Sequence, residues 1–460
     1  MIKPSFTVLF SLCFAAVTTA QIVPFCTGTT NGFVVDFALF QNEVHTTGFF
    51  TTVCSKSTSH VARWNGTQWV QAAQGGIDEG HALEVIDDVL YITTYEFGTD
   101  SNYVVRWNGS QLTTIGTVYR TNPNPDAGQN SSIYDILPYG GDIVISGEFN
   151  RVAGQTMPGI ARWNGVQWDS LGSGLSGSIA GTPAVMYPHQ LEIFDGDLVV
   201  CGNFAKAGGQ TVNGIARWDG TSWSAFGEGF NGSVYGVGVF NGVLYAGGSF
   251  TASGSTPLGN IARWNGTAWE DPGFGVQYSI AGVQAFVHTI KPIGDSLFIA
   301  GGFNRLALTA GPTLNVSGVV VLNSSQQINT LGGGPAGKEI EAVMAYNGGI
   351  LIGGGANTSS GYIGFWNPAT TGLETLYDDS RPHLSPNPAT DRLQLAGCAD
   401  CDYTRLRLTD ASGRVCFETD AVQEGPSVEL PLLPAGLYIA AFSGSQTRAP
   451  YADKLVIAGE

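Results

Sequence analysis

Apolar residues alternate with small or polar ones in short runs along most of this chain, the two-residue period of half-buried strands, and no long run keeps the 3.6-residue period of an amphipathic helix. One run stands out. Ile261-Ala262-Arg263-Trp264-Asn265-Gly266-Thr267-Ala268-Trp269 recurs at Val61 to Trp69, Ile160 to Trp168 and Ile215 to Trp223, with a shorter copy at Val104 to Leu112. All ten tryptophans fall in this phrase or in its degenerate last copy at Trp366. Asn-Gly or Asp-Gly between two half-apolar runs marks a hairpin. A two-residue turn at Asn265-Gly266 would set Trp264 opposite Thr267 and Ala262 opposite Trp269, with both indoles on one face. A lone two-stranded ribbon cannot bury such a face, so each copy must stack on another sheet.

Upstream of each hairpin lies a second pattern. Val234 to Phe250 reads as two strands around a turn, the second ending in Gly247-Gly248. Anchored on Leu244, equivalents lie at Val44, Leu90, Ile143, Leu198, Leu297 and Ile350. The matching phrase position runs Trp64, Trp107, Trp163, Trp218, Trp264, Leu322 and Trp366, at spacings of 43 to 58 residues. Four short strands per unit at this period are the mark of a propeller blade. The expectation is an all-β chain: a seven-bladed β-propeller within residues 21–377, its ring starting near residue 30, then a linker at 378–384 and a small C-terminal β-sandwich at 385–460. Insertions fall after the second strand, at Asn150 to Pro158 and Arg305 to Ser317, or between units, at Arg120 to Ser132. Loops on one face of such a ring usually carry function.

Composition narrows the class. Sixty-four glycines and only 12% charged residues suit many short strands and tight turns. Phe6 to Val17 is apolar, follows Lys3 and precedes Thr18-Thr19-Ala20, so residues 1–20 read as a signal peptide; no transmembrane segment is otherwise expected. Six cysteines remain beyond it, which permits disulfides in an exported protein without fixing their pairing. Cys26 with Cys54 would tie down the start of the fold, and Cys201 reads as a small apolar strand residue. A formal charge of −17 argues against nucleic acid and anionic membrane surfaces as partners.

At these residues the chain resembles kelch-type propellers, whose repeats run apolar strand, Leu-Tyr-x-x-Gly-Gly, strand and Trp. It is similar, too, to the Arg-Trp-Asn-Gly repeats of secreted bacterial surface proteins and of a fungal cortical polarity marker. The last 75 residues or so follow a different pattern: Ser385-Pro386-Asn387-Pro388, then Leu406 to Val415 with Gly413, then Leu433-Pro434-Ala435-Gly436-Leu437-Tyr438, then Lys454-Leu455-Val456-Ile457. These elements resemble the type A sorting domain of the type IX secretion system. That resemblance implies passage across the outer membrane by that machinery, with Pro386, Asn387, Pro388, Gly413, Gly436, Tyr438 and Lys454 as the sorting motif, followed by release or attachment to the cell surface. From the residues alone, alternation at Arg405 to Leu408 and Ser427 to Leu430 gives the same small β-sandwich.

Nine residues before each second-strand anchor stand Val35, His81, Tyr134, His189, Tyr235, His288 and Glu341. If the first strand is innermost, these residues meet at one mouth of the channel, and His81, Tyr134, His189, Tyr235, His288 and Glu341 are the candidate ligand-binding set. Imidazoles with a carboxylate suit a divalent metal; the same column equally serves packing, as in kelch-like repeats. One or three residues on, Asp36, Glu84, Asp135, Gln190, Glu192, Thr289 and Lys291 are expected on the opposite face of the strand, bonding amides of the next blade. The arginines Arg63, Arg106, Arg162, Arg217 and Arg263 read as partners of Trp or acids.

No Gly-x-Ser-x-Gly elbow, His-Glu-x-x-His helix or phosphate-cradling loop is present. The reading is a secreted or cell-surface binding module for glycan or protein, with no cofactor and no assigned catalytic residue. The alternative is a propeller enzyme acting on extracellular polysaccharide, or a metal-dependent oxidoreductase, using the channel-mouth residues.

Overall fold

The tryptophan phrase folds as a hairpin, but with a longer turn than Asn-Gly alone requires. In the computed structural model Trp264 pairs directly with Trp269, and the same register joins Trp64 to Trp69, Trp163 to Trp168 and Trp218 to Trp223. Trp264 therefore does not face Thr267, and the loop is the four residues Asn265 to Ala268. Asn265 Oδ1 accepts hydrogen bonds from the amides of Thr267 (3.0 Å) and Ala268 (2.9 Å). The asparagine serves through its side-chain oxygen, which closes an Asx turn, and the left-handed backbone falls to Gly266 at φ +97°. Asp219 supplies the same oxygen in its own copy. Both indoles keep to one face, with ring centroids 5.3 Å apart at Trp264 and Trp269.

The structure describes residues 22–72, 79–96, 101–121, 131–179, 186–280, 282–331, 339–357 and 360–366, and in the tail 383–385, 392–396, 403–410, 415–419, 428–430, 436–444 and 451–457. It divides into two units, residues 1–371 and 372–460.

Among the described residues the first unit is a β-propeller of seven four-stranded antiparallel blades, one of them extended to six strands. Their first strands are Val34–Phe40, Gly80–Ile86, Ser132–Tyr139, Tyr187–Phe194, Val234–Phe240, Phe286–Ile293 and Glu339–Tyr346. Each packs against the first strands of both neighbours, and the seventh meets the first, so these strands ring the centre. Trp269 Nε1 donates to the Phe226 carbonyl (3.1 Å), Trp223 to that of Leu171 (2.9 Å) and Trp168 to that of Ile115 (2.9 Å). Each acceptor belongs to the outer edge of the preceding blade. A buried indole withdraws roughly 150–250 Å² from water, about 4–6 kcal/mol at ~25 cal per Å², so the phrase cements blade to blade. Four of the five arginines of the column pair with acids, Arg63 with Glu43, Arg162 with Asp142, Arg217 with Asp197 and Arg263 with Glu270.

Closure of the ring differs from expectation. Val23–Pro24 pairs with Ser360–Trp366, Val23 opposite Phe365 and Pro24 opposite Gly364, and so supplies the fourth strand of the last blade. The phrase at Trp366 has no second tryptophan because its partner strand comes from the other end of the chain. Cys26, two residues after this strand, is disulfide-bonded to Cys54, with Cα atoms 6.0 Å apart. The insertions after second strands are hairpins that reach back over the preceding connection. Arg151–Val152 pairs with Leu112–Tyr119, Lys206–Ala207 with Leu175–Ser176, and Arg305–Leu308 with Phe274–Gln277.

The described residues of the second unit form two sheets. One contains His383–Ser385, Arg392–Ala396 and Val428–Glu429; the other contains Val415–Thr419, Tyr403–Asp410, Gly436–Gly444 and Tyr451–Ile457. Leu406 and Leu408 are buried while Arg405 and Arg407 are exposed, as the alternation requires. Gly436, Tyr438 and Lys454 lie on adjacent strands, Tyr438 opposite Leu455 and Ile439 opposite Lys454. Pro386, Asn387, Pro388 and Gly413 lie outside the described residues, as do the signal-peptide positions 1–20 and linker positions 378–382; His383 and Leu384 are already strand. Among the described residues no helix is long and apolar enough to cross a membrane.

Candidate functional site

Every first strand carries the same irregularity at the same place. Val34 pairs with Gly48 but Asp36 with Thr47, so Val35 is an extra residue. The equivalent extra residues are Tyr134, His189, Tyr235, His288 and Glu341, and in the second blade the shift falls between Gly80 and Leu83, at His81 and Ala82. The candidate column is thus a column of β-bulges. A bulge turns two successive residues toward one side of the sheet, and Tyr134 with Asp135, His189 with Gln190 and His288 with Thr289 all line one central cavity of about 500 Å³. Six members of the polar set, Asp36, Glu84, Asp135, Gln190, Thr289 and Lys291, thus share the cavity lining with the column, and Glu192 does not.

The glycine near the end of the second strand in six of the seven blades, Gly48, Gly147, Gly202, Gly248, Gly301 and Gly354, follows from this geometry. A Cβ on Gly147 would lie 2.1 Å from the Ser132 carbonyl oxygen, and one on Gly354 would lie 1.9 Å from that of Glu339. The bulge pushes these carbonyls into the space a side chain would take. In the second blade the partner position is Thr94, and the glycine has moved across the pair to Gly80.

The structure brings all six candidate residues to this cavity. Their rings run edge to face and face to face around it: His81 to Tyr134 at 5.2 Å, Tyr134 to His189 at 5.1 Å, His189 to Tyr235 at 4.9 Å and Tyr235 to His288 at 6.1 Å between centroids. Phe49 closes on His81 at 5.0 Å, and Tyr187 stands 6.4 Å from both Tyr134 and His189. Neither was singled out in the sequence, although Phe49 directly follows Gly48.

Behind the rings, several side chains join blade to blade. Asp36 Oδ2 accepts the Leu83 amide (2.8 Å), Asp135 Oδ2 the Leu191 amide (2.7 Å) and Gln190 Oε1 the Val237 amide (3.0 Å), while Thr289 donates to the Glu341 carbonyl. This is the inter-blade bonding expected of the polar set. In the fifth blade the place is taken by Gly236, where a Cβ would sit 2.5 Å from the His288 carbonyl oxygen.

Burial dominates the electrostatics. It pushes the carboxyl of Asp36 up to about 6, Glu84 to about 7, and Asp135 and Glu341 to about 8, and it raises Glu192. Amide hydrogen bonds pull Asp36 and Asp135 partly back, and the Lys291 charge does so for Asp36 and Glu84. Desolvation holds His81 and His288 down at about 4 and His189 at about 3, the last also through its two neighbouring imidazoles. At neutral pH the rings are uncharged donors and acceptors. Beside them Arg120 pairs with Glu148, whose carboxyl burial pushes up to about 7. Among the described residues no group of three His, Cys, Asp or Glu side chains is arranged to hold a metal ion.

No family model matches this chain, and no curated protein matches it. Solved structures similar to it include the extracellular domain of BT4673 from B. thetaiotaomicron, at 12% identity and TM-score 0.45, covering 96% of this chain and 58% of that one. Virginiamycin B lyase from Staphylococcus aureus aligns at 13% identity and TM-score 0.48, over 75% of this chain and 99% of that one. PorZ, a surface component of the type-IX secretion system of Porphyromonas gingivalis, aligns at 12% identity and TM-score 0.36, over 91% of this chain and 64% of that one. This chain thus spans less than two thirds of the length of the BT4673 domain and of PorZ.

Proposed function

We propose that this chain is a secreted or cell-surface binding module in which the propeller recognises an extracellular glycan or protein at its central channel and the neighbouring loop face. The observation that carries this is the run of bulges that aims His81, Tyr134, His189, Tyr235, His288 and Glu341 into one cavity of about 500 Å³. That volume suits a small ligand or one end of a larger one. Probing glycan and peptide arrays with the purified protein tests the reading. A hit that weakens at least tenfold in a folded Tyr235→Ala/His288→Ala variant supports it; the absence of any hit, or a hit indifferent to the variant, counts against it.

Export by a type IX secretion machinery, through the sorting motif in residues 385–460, belongs to the same proposal. Deleting those residues would then hold the protein inside the outer membrane of a host that has the machinery. A second reading, a propeller enzyme acting on extracellular polysaccharide, draws on Glu84, Asp135 and Glu341, whose carboxyls burial holds near neutrality within the cavity. Release of reducing ends from a polysaccharide panel, abolished by Glu84→Gln, would favour that reading.

A further inference from the structure

The described lining of the central cavity is lopsided in charge. Asp36, Glu84, Asp135 and Glu341 bring four carboxyl groups to it, Lys291 brings one amine, and no arginine lines it. The whole chain carries the same sign, with a formal charge of −17. One end of the cavity is walled by aromatic and imidazole rings whose centroids lie 4.9 to 6.1 Å apart from ring to ring. Tyr134 and Tyr235 carry the negative ring faces that attract a cation, the neutral imidazoles add acceptor nitrogens, and carboxyl groups nearby complete a cage for it. Glu84 and Glu341 titrate at about 7 and 8 in this channel, so an ammonium bound beside them would draw the proton off Glu341 and complete the ion pair. A bare metal ion would lack a set of converging ligands, since no three acidic, imidazole or thiol groups among the described residues are placed to share one. A volume of about 500 Å³ also exceeds what a single ion needs.

We infer that the channel takes an organic cation of about the size of a sugar residue, its ammonium group held between the ring wall and the carboxyl groups of Glu84 and Glu341. This rests on the channel being the ligand site and names the chemistry it selects. Asp36 and Asp135 are committed to amides of the next blade. Among the described residues Glu84 and Glu341 make no such bond, and they are the groups to change.

The test uses calorimetric titration of the full chain at pH 7.5 with glucosamine, with N-acetylglucosamine as its uncharged counterpart, and with Nα-acetyl-lysine amide as a peptide-borne ammonium. Binding of glucosamine or the lysine amide at least tenfold tighter than N-acetylglucosamine, weakened at least tenfold in a Glu84→Gln/Glu341→Gln variant that melts like the parent, is the expected result. Whichever amine binds tighter assigns the source as an amino sugar or a peptide. Equal binding of glucosamine and N-acetylglucosamine overturns the ammonium inference and leaves the channel as a neutral-sugar site. Tight amine binding unaffected by the variant overturns the placement. Failure of both amines to bind overturns the inference, while array hits sensitive to Tyr235→Ala/His288→Ala would still uphold the channel as a binding site.

Discussion

Asp135 accepts the backbone amide of Leu191, on the next blade, at 2.7 Å, and that of its neighbour Ile136 at 2.8 Å. One side chain thus fixes the bulge that aims Tyr134 and locks two inner strands together. Fold and candidate site share this residue. Replacing it with asparagine leaves one oxygen for two amides. Asp135→Asn should lower unfolding free energy by about 1–3 kcal/mol, measured by denaturant unfolding, while Asp142→Asn, on the partly exposed arginine column, should change it by less than about 1 kcal/mol.

Stability should fall as pH rises from 6.5 to 8. The carboxyls of Glu84, Asp135 and Glu341 titrate at about 7 to 8 when folded but near their ordinary values when unfolded. The folded state therefore holds more protons in that window, and its advantage fades as they leave. Below 6.5 the buried histidines act in the opposite sense, because the unfolded chain takes up protons that His81, His189 and His288 refuse until about pH 4 or lower. Below pH 6.5 the carboxyls still favour the folded state as pH falls and offset the histidines, so melting temperature should change little there and fall from 6.5 to 8, a fall that Glu84→Gln/Glu341→Gln should flatten. A rise from pH 6.5 to 8 would contradict this.

The bulge glycines should tolerate no side chain. Gly147→Ala places a methyl group 2.1 Å from a backbone carbonyl that cannot move without undoing the bulge at Tyr134. A loss of at least about 2 kcal/mol is expected, together with altered near-ultraviolet circular dichroism from the displaced ring.

The disulfide Cys26–Cys54 staples the closing strand to the first blade across 28 residues. Loop-closure entropy for that length corresponds to about 3–4 kcal/mol. A Cys26→Ser/Cys54→Ser protein should unfold at lower denaturant and expose its N-terminal segment to limited proteolysis first.

Much of this was legible in the sequence, for identifiable reasons. The blade period showed because one tryptophan hairpin performs the same packing task in successive units, and the column showed because it keeps a fixed distance from the second strand. Three features stayed hidden. Val23–Pro24 is too short to display any period, so nothing in it announced a strand that closes the ring. Asn265 is favoured both in left-handed turns and in Asx turns, and composition cannot separate the two uses. The bulges disguised the cavity, since strict alternation sends Tyr134 and Asp135 to opposite faces. Adjacent polar residues such as His189-Gln190 at the start of an apolar strand, facing a glycine-ended partner, were the available sign.

The central claim is that seven bulged inner strands gather His81, His189 and His288 into one desolvated channel. Proton NMR titration of the histidine rings, assigned with single His→Gln variants, tests it most directly. These three imidazoles should stay neutral from pH 8 down to about pH 5, with midpoints at about 4 or below. Midpoints near the ordinary 6.5 for all three would place them in open solvent and contradict the account.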